Sequence, residues 1–178
     1  MQKPKLLLLD ANVVIEAYEI GIWAQIKSHY EVAVPSIIVS EARYFVSEDT
    51  QGGISLKKQV DAGEIKVFEG TVEEIADVFA NIHDIFLAGI DDGEKEGIAL
   101  IAAGKCPGYC FCTGDINAVQ AMGMLKLTSQ SVSFEKVVAG AKLGKKISPH
   151  CTEKAHAHHV KIGLDRRLSG EYFKKPLL

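Results

Sequence analysis

The sequence predicts an α/β protein of three layers (α/β/α), in which helices cover both faces of a central, mainly parallel sheet. Short, continuous apolar runs such as Lys5–Leu9 alternate along the chain with longer amphipathic stretches. Runs that are apolar on both faces are typical of buried parallel strands, and their alternation with helices indicates strand–helix–strand crossovers. The 178 residues, 47% of them hydrophobic and 24% charged, have the composition of a globular protein and exclude a disordered chain.

Each predicted element begins or ends at a recognisable signal. Pro35 stops a strand and Ser36 caps the next helix, while Thr71 and Glu74 form a capping box and Gly104 closes a later helix. The predicted strands are Lys5–Leu9, 31–34, 65–68 and Tyr109–Cys112. The predicted helices are 12–26, 37–46, the stretch after the capping box that carries the apolar positions 75, 78, 79, 82 and 86, then 94–103, 117–125 and 132–141.

The charge divides the chain into two parts. Residues 1–135 carry ten basic against twenty acidic residues, a net charge of −10, whereas residues 136–178 carry ten against three, a net charge of +7. We therefore interpret residues 1–141 as the domain and residues 142–178 as a basic C-terminal extension, helical over 152–168. An acidic body suits bound cations, and a basic extension suits either a polyanion or a solvated surface helix.

Two features bear on location. The apolar run at the start is far shorter than the roughly 20 residues of a membrane helix, and it lacks the pattern of a signal peptide. The four cysteines are too few and too clustered for a disulfide scaffold. We expect a soluble, cytoplasmic protein with no membrane partner.

Two strand–helix junctions share one construction. In each, an apolar strand ends in an aspartate, Asp10 or Asp115, and an asparagine follows two residues later, Asn12 or Asn117. Ligands of open parallel sheets bind beyond the carboxyl ends of the strands, so both aspartates are expected in one crevice. The alternative is that each aspartate only caps its helix, but the asparagines are able to do that and leave the aspartates free.

Further acids come from two helices. Glu41 falls inside an apolar stripe with Ile37 and Phe45, so we expect it to face the core or a cleft, or to lie at the stripe's edge with a basic partner. The segment 91–96 begins a helix with four acids, and there Asp91 and Glu94 also fit a capping box. Carboxylates that converge on one crevice need a cation or shared protons, and hard oxygen ligands suit Mg²⁺ or Mn²⁺.

The opening LLLLDAN, the helix PSIIVSEARYF, the segment DDGEKEGIALIAA and the closing FCTGDINAVQAMGML resemble, in this order, a PIN domain. This family contains small metal-dependent ribonucleases, among them VapC-like toxins of toxin–antitoxin systems. The resemblance covers about residues 5–140. It implies the three-layer fold, an acidic pocket for Mg²⁺ or Mn²⁺, hydrolysis of single-stranded RNA and a possible antitoxin partner.

The resemblance also implies roles for individual residues. Asp10, Glu94 and Asp115 would hold the metal directly or through water, with Asp92 and Glu96 as rivals of Glu94, and Glu41 would orient or deprotonate the attacking water. Neighbours that would orient these acids are Asn12, Thr113 and Asn117. The basic extension lies beyond the resemblance, so its purpose does not follow from the family. Its charge suits phosphate contacts with RNA through Lys145, Lys146, Lys161, Arg166 and Arg167. The extension could equally pack on a second subunit, and a homodimer is expected.

Three alternatives remain open at this stage. The first is a zinc site from His150, Cys151, His156, His158 and His159 with the upstream Cys106, Cys110 and Cys112, but the spacing matches no usual finger pattern and a solvated helix is the simpler interpretation. The second is a phosphohydrolase with a phosphorylated Asp10, which Asn12 disfavours because that class places an acid there. The third is a PIN-like module that binds RNA or a partner without catalysis.

Overall fold

The computed structural model describes residues 5–41 and 55–176. Its strands are β1 (Lys5–Leu9), β2 (Tyr30–Pro35), β3 (Lys66–Phe68), β4 (Tyr109–Cys112) and β5 (Ser131–Val132). Its helices are α1 (Ala11–Glu19), α2 (Trp23–His29), α3 (Ser36–Glu41), α4 (Leu56–Asp61), α5 (Val72–Phe79), α6 (Asp84–Leu87), α7 (Asp92–Ala102), α8 (Ile116–Met124), α9 (Phe134–Gly140) and α10 (Glu153–Ser169).

The five strands form one parallel sheet in the order β3-β2-β1-β4-β5. The predicted fold class is confirmed, since helices cover both faces of this sheet. The central strand β1 pairs with β2 on one side and with β4 on the other, with Leu9 opposite Cys112. The strand order reverses between β1 and β4, and ligands of such sheets bind in the crevice at that reversal.

Alternation along the strands supplies both hydrophobic cores. On β1, Leu7 and Leu9 join the core formed with α1, α2 and α9, whereas Leu8 faces the opposite core, formed with α5 to α8. Cys112 and Phe111 of β4 divide between the same two cores. Successive side chains of a strand point to opposite faces, so an all-apolar run serves a sheet that is covered on both sides.

Several element boundaries differ from the prediction. The predicted helix 12–26 is two helices, separated near Gly21, which has a φ of +71°. The predicted helix 132–141 begins only at Phe134, because Val132 belongs to the edge strand β5, and the apolar positions after Thr71 divide between α5 and α6. These runs are too short for helical and strand periodicity to be distinguished. The predicted helix 37–46 begins at Ser36, and its residues beyond 41 lie outside the described part of the chain.

The basic C-terminal segment packs on the rest of the protein. Helix α10 lies against α8 so closely that a Cβ on Gly163 would stand 2.1 Å from the carbonyl oxygen of Gln120. Arg167 Nη1 donates to the carbonyl of Met124 at 2.7 Å, and Ser131 Oγ lies 2.8 Å from His156 Nε2. Helix α10 therefore covers part of the core and does not project from it as a separate arm.

Within the described residues, none of the helices combines the length and the apolar character needed to cross a bilayer.

Candidate functional site

The two aspartates that follow strands lie beside each other at the reversal of strand order. The amide of Asp10 donates to the carbonyl of Cys112 at 3.1 Å, which continues the pairing of β1 with β4 by one residue. Asp10 is buried, with 3% of its surface exposed, and Asp115 is half-buried two residues beyond Thr113. Adjacent parallel strands thus deliver both acids to one edge of the sheet, as the sequence predicted.

A single hydroxyl connects the acids of three elements. Thr113 Oγ1 lies 3.4 Å from Asp10 Oδ2 and 3.3 Å from Glu94 Oε1, and it accepts a hydrogen bond from the amide of Asp115 at 3.1 Å. The hydroxyl has one proton to donate, so it serves one of the two carboxylates at a time. The remaining carboxylate lone pairs leave the pocket rich in acceptors.

The electrostatics of the pocket disfavour its negative charge. Burial raises the pKa of Asp10 to about 6. Repulsion from Asp115 also raises this pKa, whereas hydrogen bonds from the amides of Ala11 and Asn12 lower it. Burial also raises the pKa of Glu94 to about 8, helped by repulsion from Asp10 and Asp115. The Glu94 carboxyl therefore retains its proton at neutral pH unless a cation compensates its charge, whereas Asp10 is largely ionised there.

Glu94 is the acid of its segment that meets Asp10. Asp92 is exposed, with its carboxylate 3.1 Å from Lys95 Nζ. Glu96 is fully buried, but it accepts hydrogen bonds from Ser36 Oγ at 2.6 Å and from the amides of Ile37 at 2.8 Å and Gly70 at 2.9 Å. Glu96 therefore holds the start of α3, and the predicted choice of Glu94 agrees with the geometry. Glu94 also accepts from the amide of Asp91 at 3.1 Å.

The asparagines do not cap the two helices as predicted, and the two aspartates differ from each other. Asp10 occupies the N-cap position of α1 without a side-chain capping hydrogen bond, whereas the Asp115 carboxylate caps α8 by accepting from the amide of Ala118 at 2.8 Å. Asn117 donates to the carbonyl of Gly89 at 2.9 Å, and the side chain of Asn12 is exposed. Each helix begins one residue earlier than predicted, which moves the asparagines inside it.

Glu41 is the last residue of α3, and its side chain lies outside the described part of the structure.

The candidate RNA contacts of the basic segment fall into two groups. Arg166 bonds to Gln120 Oε1 and lies over the ring of Tyr172 at 4.8 Å, and Arg167 bonds to the backbone of α8. These two arginines hold α10 in place, and their contact with RNA stays a prediction. Lys145, Lys146 and Lys161 are exposed.

The donor chemistry of the acidic pocket fits a hard divalent cation. Buried Asp10 and Glu94 lie there with the half-buried Asp115, and the repulsion among their carboxylates favours a bound positive charge. Mg²⁺ keeps several waters and commonly binds through one or two carboxylates. An open arrangement of Asp10, Glu94 and Asp115 is therefore compatible with this ion.

A second group of potential ligands joins His150 and Cys151, two residues of the zinc alternative, to Glu16, which was not among the predicted ligands. The ligand atoms of three side chains lie within 4.8 Å of one another: one atom each from Glu16, His150 and Cys151. In the described part of the chain, this is the group that has such spacing. Burial and the Glu16 carboxylate raise the pKa of the Cys151 thiol well above its usual value. Glu16 lies between Val13 and Ala17 on the buried stripe of α1, and this position was the signal available in the sequence.

The remaining histidines and cysteines of the predicted zinc motif lie elsewhere. His156 contacts Ser131, and His159 Nδ1 lies 3.2 Å from Gln120 Nε2. Cys106 belongs to the core on the opposite side of the sheet from Cys112 and Cys151. The motif as a whole therefore does not assemble.

No protein-family model matches the chain, and no curated protein matches it.

Proposed function

We propose that this protein is a Mg²⁺- or Mn²⁺-dependent endoribonuclease that hydrolyses the phosphodiester bonds of single-stranded RNA. The observation that supports this most is the meeting of buried Asp10 and Glu94 on the Thr113 hydroxyl, with Asp115 beside them, at the reversal of strand order. Such a set of acids costs stability without a cation, so it is better explained by function than by packing.

Each residue of the acidic pocket has a role in the proposed reaction that follows from its position. Asp10, Glu94 and Asp115 would hold the cation, and the Thr113 hydroxyl orients the carboxylates of Asp10 and Glu94. A divalent ion held there would supply Lewis-acid stabilisation of the charge on the phosphate and would make the attacking water more acidic. Glu41, by the resemblance to PIN domains, accepts the proton of the attacking water.

The reaction exchanges one phosphorus–oxygen bond for another. The water oxygen bonds to phosphorus, the bond from phosphorus to the 3′ oxygen breaks, and the departing oxygen takes a proton from solvent. The products are a 5′-phosphate and a 3′-hydroxyl.

The segment between α9 and α10 offers an approach for the RNA strand. Exposed Lys145 and Lys146 lie a few residues before His150, whose ring is next to Gly114 in the β4–α8 junction. Five residues of extended chain span at most about 18 Å, or two to three nucleotides. These lysines are therefore suited to hold phosphates that flank the scissile bond.

The biological role that accompanies this activity is that of a toxin held in check by a protein antitoxin, acting as a homodimer. Co-purification of the chain with the product of a neighbouring small gene tests the antitoxin. Light scattering of the purified protein tests the dimer.

The activity is tested with purified protein, Mn²⁺ and a labelled single-stranded RNA. Asp10→Asn should lower the cleavage rate at least about 100-fold, since it removes a charge at the reacting centre. Asp92→Asn is the matched control, because Asp92 is an exposed aspartate at the start of α7, and this variant should cleave as the unmodified protein does. Equal cleavage by both variants would contradict the proposal.

Binding separates the enzyme from the non-catalytic alternative. Calorimetry should show that Mn²⁺ binds to the unmodified protein and binds weakly to the Asp10→Asn variant. Mn²⁺ binding without cleavage of any RNA would identify an RNA- or partner-binding module. No Mn²⁺ binding at all would remove the metal site and the nuclease together.

A further inference from the structure

A second cluster of chemically active side chains lies beside the acidic pocket and is not used by the proposed reaction. It joins Glu16 of α1 to His150 and Cys151, which belong to the short 3-10 turn Pro149–Cys151 before α10. Glu16 and Cys151 are buried, whereas the ring of His150 is exposed. One carboxylate, one imidazole and one thiol from two distant parts of the chain thus meet at the protein surface.

The surrounding backbone orients these groups. Glu16 Oε1 accepts a hydrogen bond from the amide of Ser148 at 2.6 Å, which fixes the carboxylate and leaves its second oxygen for another partner. Gly114 lies against the other two, since a Cβ at that position would stand 2.6 Å from Cys151 Sγ and 3.0 Å from His150 Cδ2. A side chain at residue 114 would push the thiol and the imidazole apart.

From these contacts we propose that Glu16, His150 and Cys151 form a binding site for a Zn²⁺ ion, separate from the acidic pocket. Thiolate, imidazole and carboxylate are the three ligand types that Zn²⁺ takes in proteins, at about 2.0–2.3 Å, whereas Mg²⁺ takes oxygen ligands. A tetrahedral ion with these bond lengths sets its ligand atoms about 3.4–3.7 Å apart. Ligand atoms within 4.8 Å of one another therefore need only a small contraction, which the exposed His150 ring can supply.

Water completes the fourth position of this site, and the thiol of Cys151 gives its proton to solvent when the ion binds. An ion bound there would connect the segment 148–151 to α1. It would also hold His150 and Cys151 against the backbone of Gly114. Because Gly114 lies between Thr113 and Asp115, the ion would stabilise the junction that presents these residues. The inference does not depend on the proposed nuclease activity.

Cobalt is the probe that distinguishes this site from the carboxylate pocket. The purified full-length chain, stripped of metal and reduced, is titrated with Co²⁺ alone. Binding at Cys151 should produce a thiolate-to-cobalt charge-transfer band in the near ultraviolet, and one equivalent of Zn²⁺ should abolish it. A carboxylate site gives no such band, so absence of the band at saturating Co²⁺ would overturn the proposal.

Variants assign the ligands. His150→Ala alters an exposed side chain and should leave the fold intact while weakening Zn²⁺ binding at least about 10–100-fold, the range found for orienting partners of metal ligands. Cys151→Ser should remove the charge-transfer band. Two controls should keep it: Cys106→Ser, a buried cysteine of the opposite core, and Asp10→Asn, an acid of the neighbouring pocket.

The controls also decide the remaining outcomes. If Cys106→Ser removes the band and Cys151→Ser does not, the thiolate ligand is elsewhere and the proposal is wrong. If His150→Ala binds Zn²⁺ as tightly as the unmodified chain, the cluster is only a hydrogen bond between Cys151 and Glu16.

Discussion

Glu94 and Glu96 lie two residues apart in α7 and perform opposite tasks. Glu96 is satisfied by three hydrogen-bond donors from α3 and Gly70, whereas Glu94 faces Asp10 across the Thr113 hydroxyl. Positions i and i+2 of a helix point about 200° apart, so one carboxylate reaches the reversal of strand order and the other reaches α3. One carboxylate stabilises the fold, and the other is held at an energetic cost.

Replacement of Glu96 is expected to destabilise the fold. Glu96→Ala removes three hydrogen bonds to a buried carboxylate and leaves the amides of Ile37 and Gly70 without that acceptor. The free energy of unfolding should fall by about 3–5 kcal/mol. Urea denaturation measures the loss, and Glu19→Ala, an exposed glutamate at the end of α1, should change it by less than about 0.5 kcal/mol.

Replacement of Glu94 is expected to act in the opposite direction at high pH. The folded protein keeps the Glu94 proton up to a pKa of about 8, while an unfolded glutamate loses it near 4.5. The resulting stability is complete below pH 4.5 and is lost as the pH rises through 8. Glu94→Gln should therefore be more stable than the unmodified protein at pH 9 by about 1–3 kcal/mol, and this gain should shrink towards pH 5.

Thermal melts of both proteins from pH 5 to pH 9 measure this effect. Saturating Mg²⁺ should raise the melting temperature of the unmodified protein at pH 9 more than that of Glu94→Gln. Parallel pH profiles of the two proteins would show that Glu94 does not carry the titration.

The contact between α8 and α10 predicts the effect of one methyl group. Gly163→Ala would place a Cβ 2.1 Å from the Gln120 carbonyl oxygen, and backbone cannot move aside as a flexible side chain does. The helices must separate, which should lower the free energy of unfolding by about 3 kcal/mol or more. Gly144→Ala meets no atom within 4 Å and should stay within about 0.5 kcal/mol of the unmodified protein.

Charge reversal at Lys145 and Lys146 tests the approach of RNA. The double variant Lys145→Glu, Lys146→Glu should weaken the binding of single-stranded RNA. The slope of log affinity against log salt concentration should fall by about 1.4 if each lysine neutralises one phosphate. Anisotropy in the Asp10→Asn background avoids cleavage during the measurement. The same change at exposed Lys57 and Lys58 of α4 is the charge-matched control. Equal slopes for both double variants would remove the proposed RNA path.

Truncation after Gly144 is a poor test of whether the C-terminal segment binds RNA. It would uncover the face of α8 that Gly163 and Arg167 cover, and a loss of RNA binding would then report unfolding. Point substitutions on the exposed lysines leave this packing untouched.

The sequence alone determined the central strands β1 and β4 and the edge of the sheet where the acids gather. β1 and β4 occur at their predicted bounds because an apolar run closed by a polar residue is a local pattern, and parallel strands carry their final residues to the same edge. Asp10 and Asp115 could therefore be placed together without coordinates.

Only the tertiary structure decided which side chains meet there. The rotation of α7 about its axis, relative to the sheet, decides whether Asp92, Glu94 or Glu96 lies beside Asp10. The sequence does not determine this rotation, because several acids lie close together at the start of the helix. The meeting of Glu16 with Cys151 is even less accessible to sequence patterns. It arises because the chain returns, after more than 130 residues, to pack a 3-10 turn against α1, and packing between distant segments follows from the shape of the whole core.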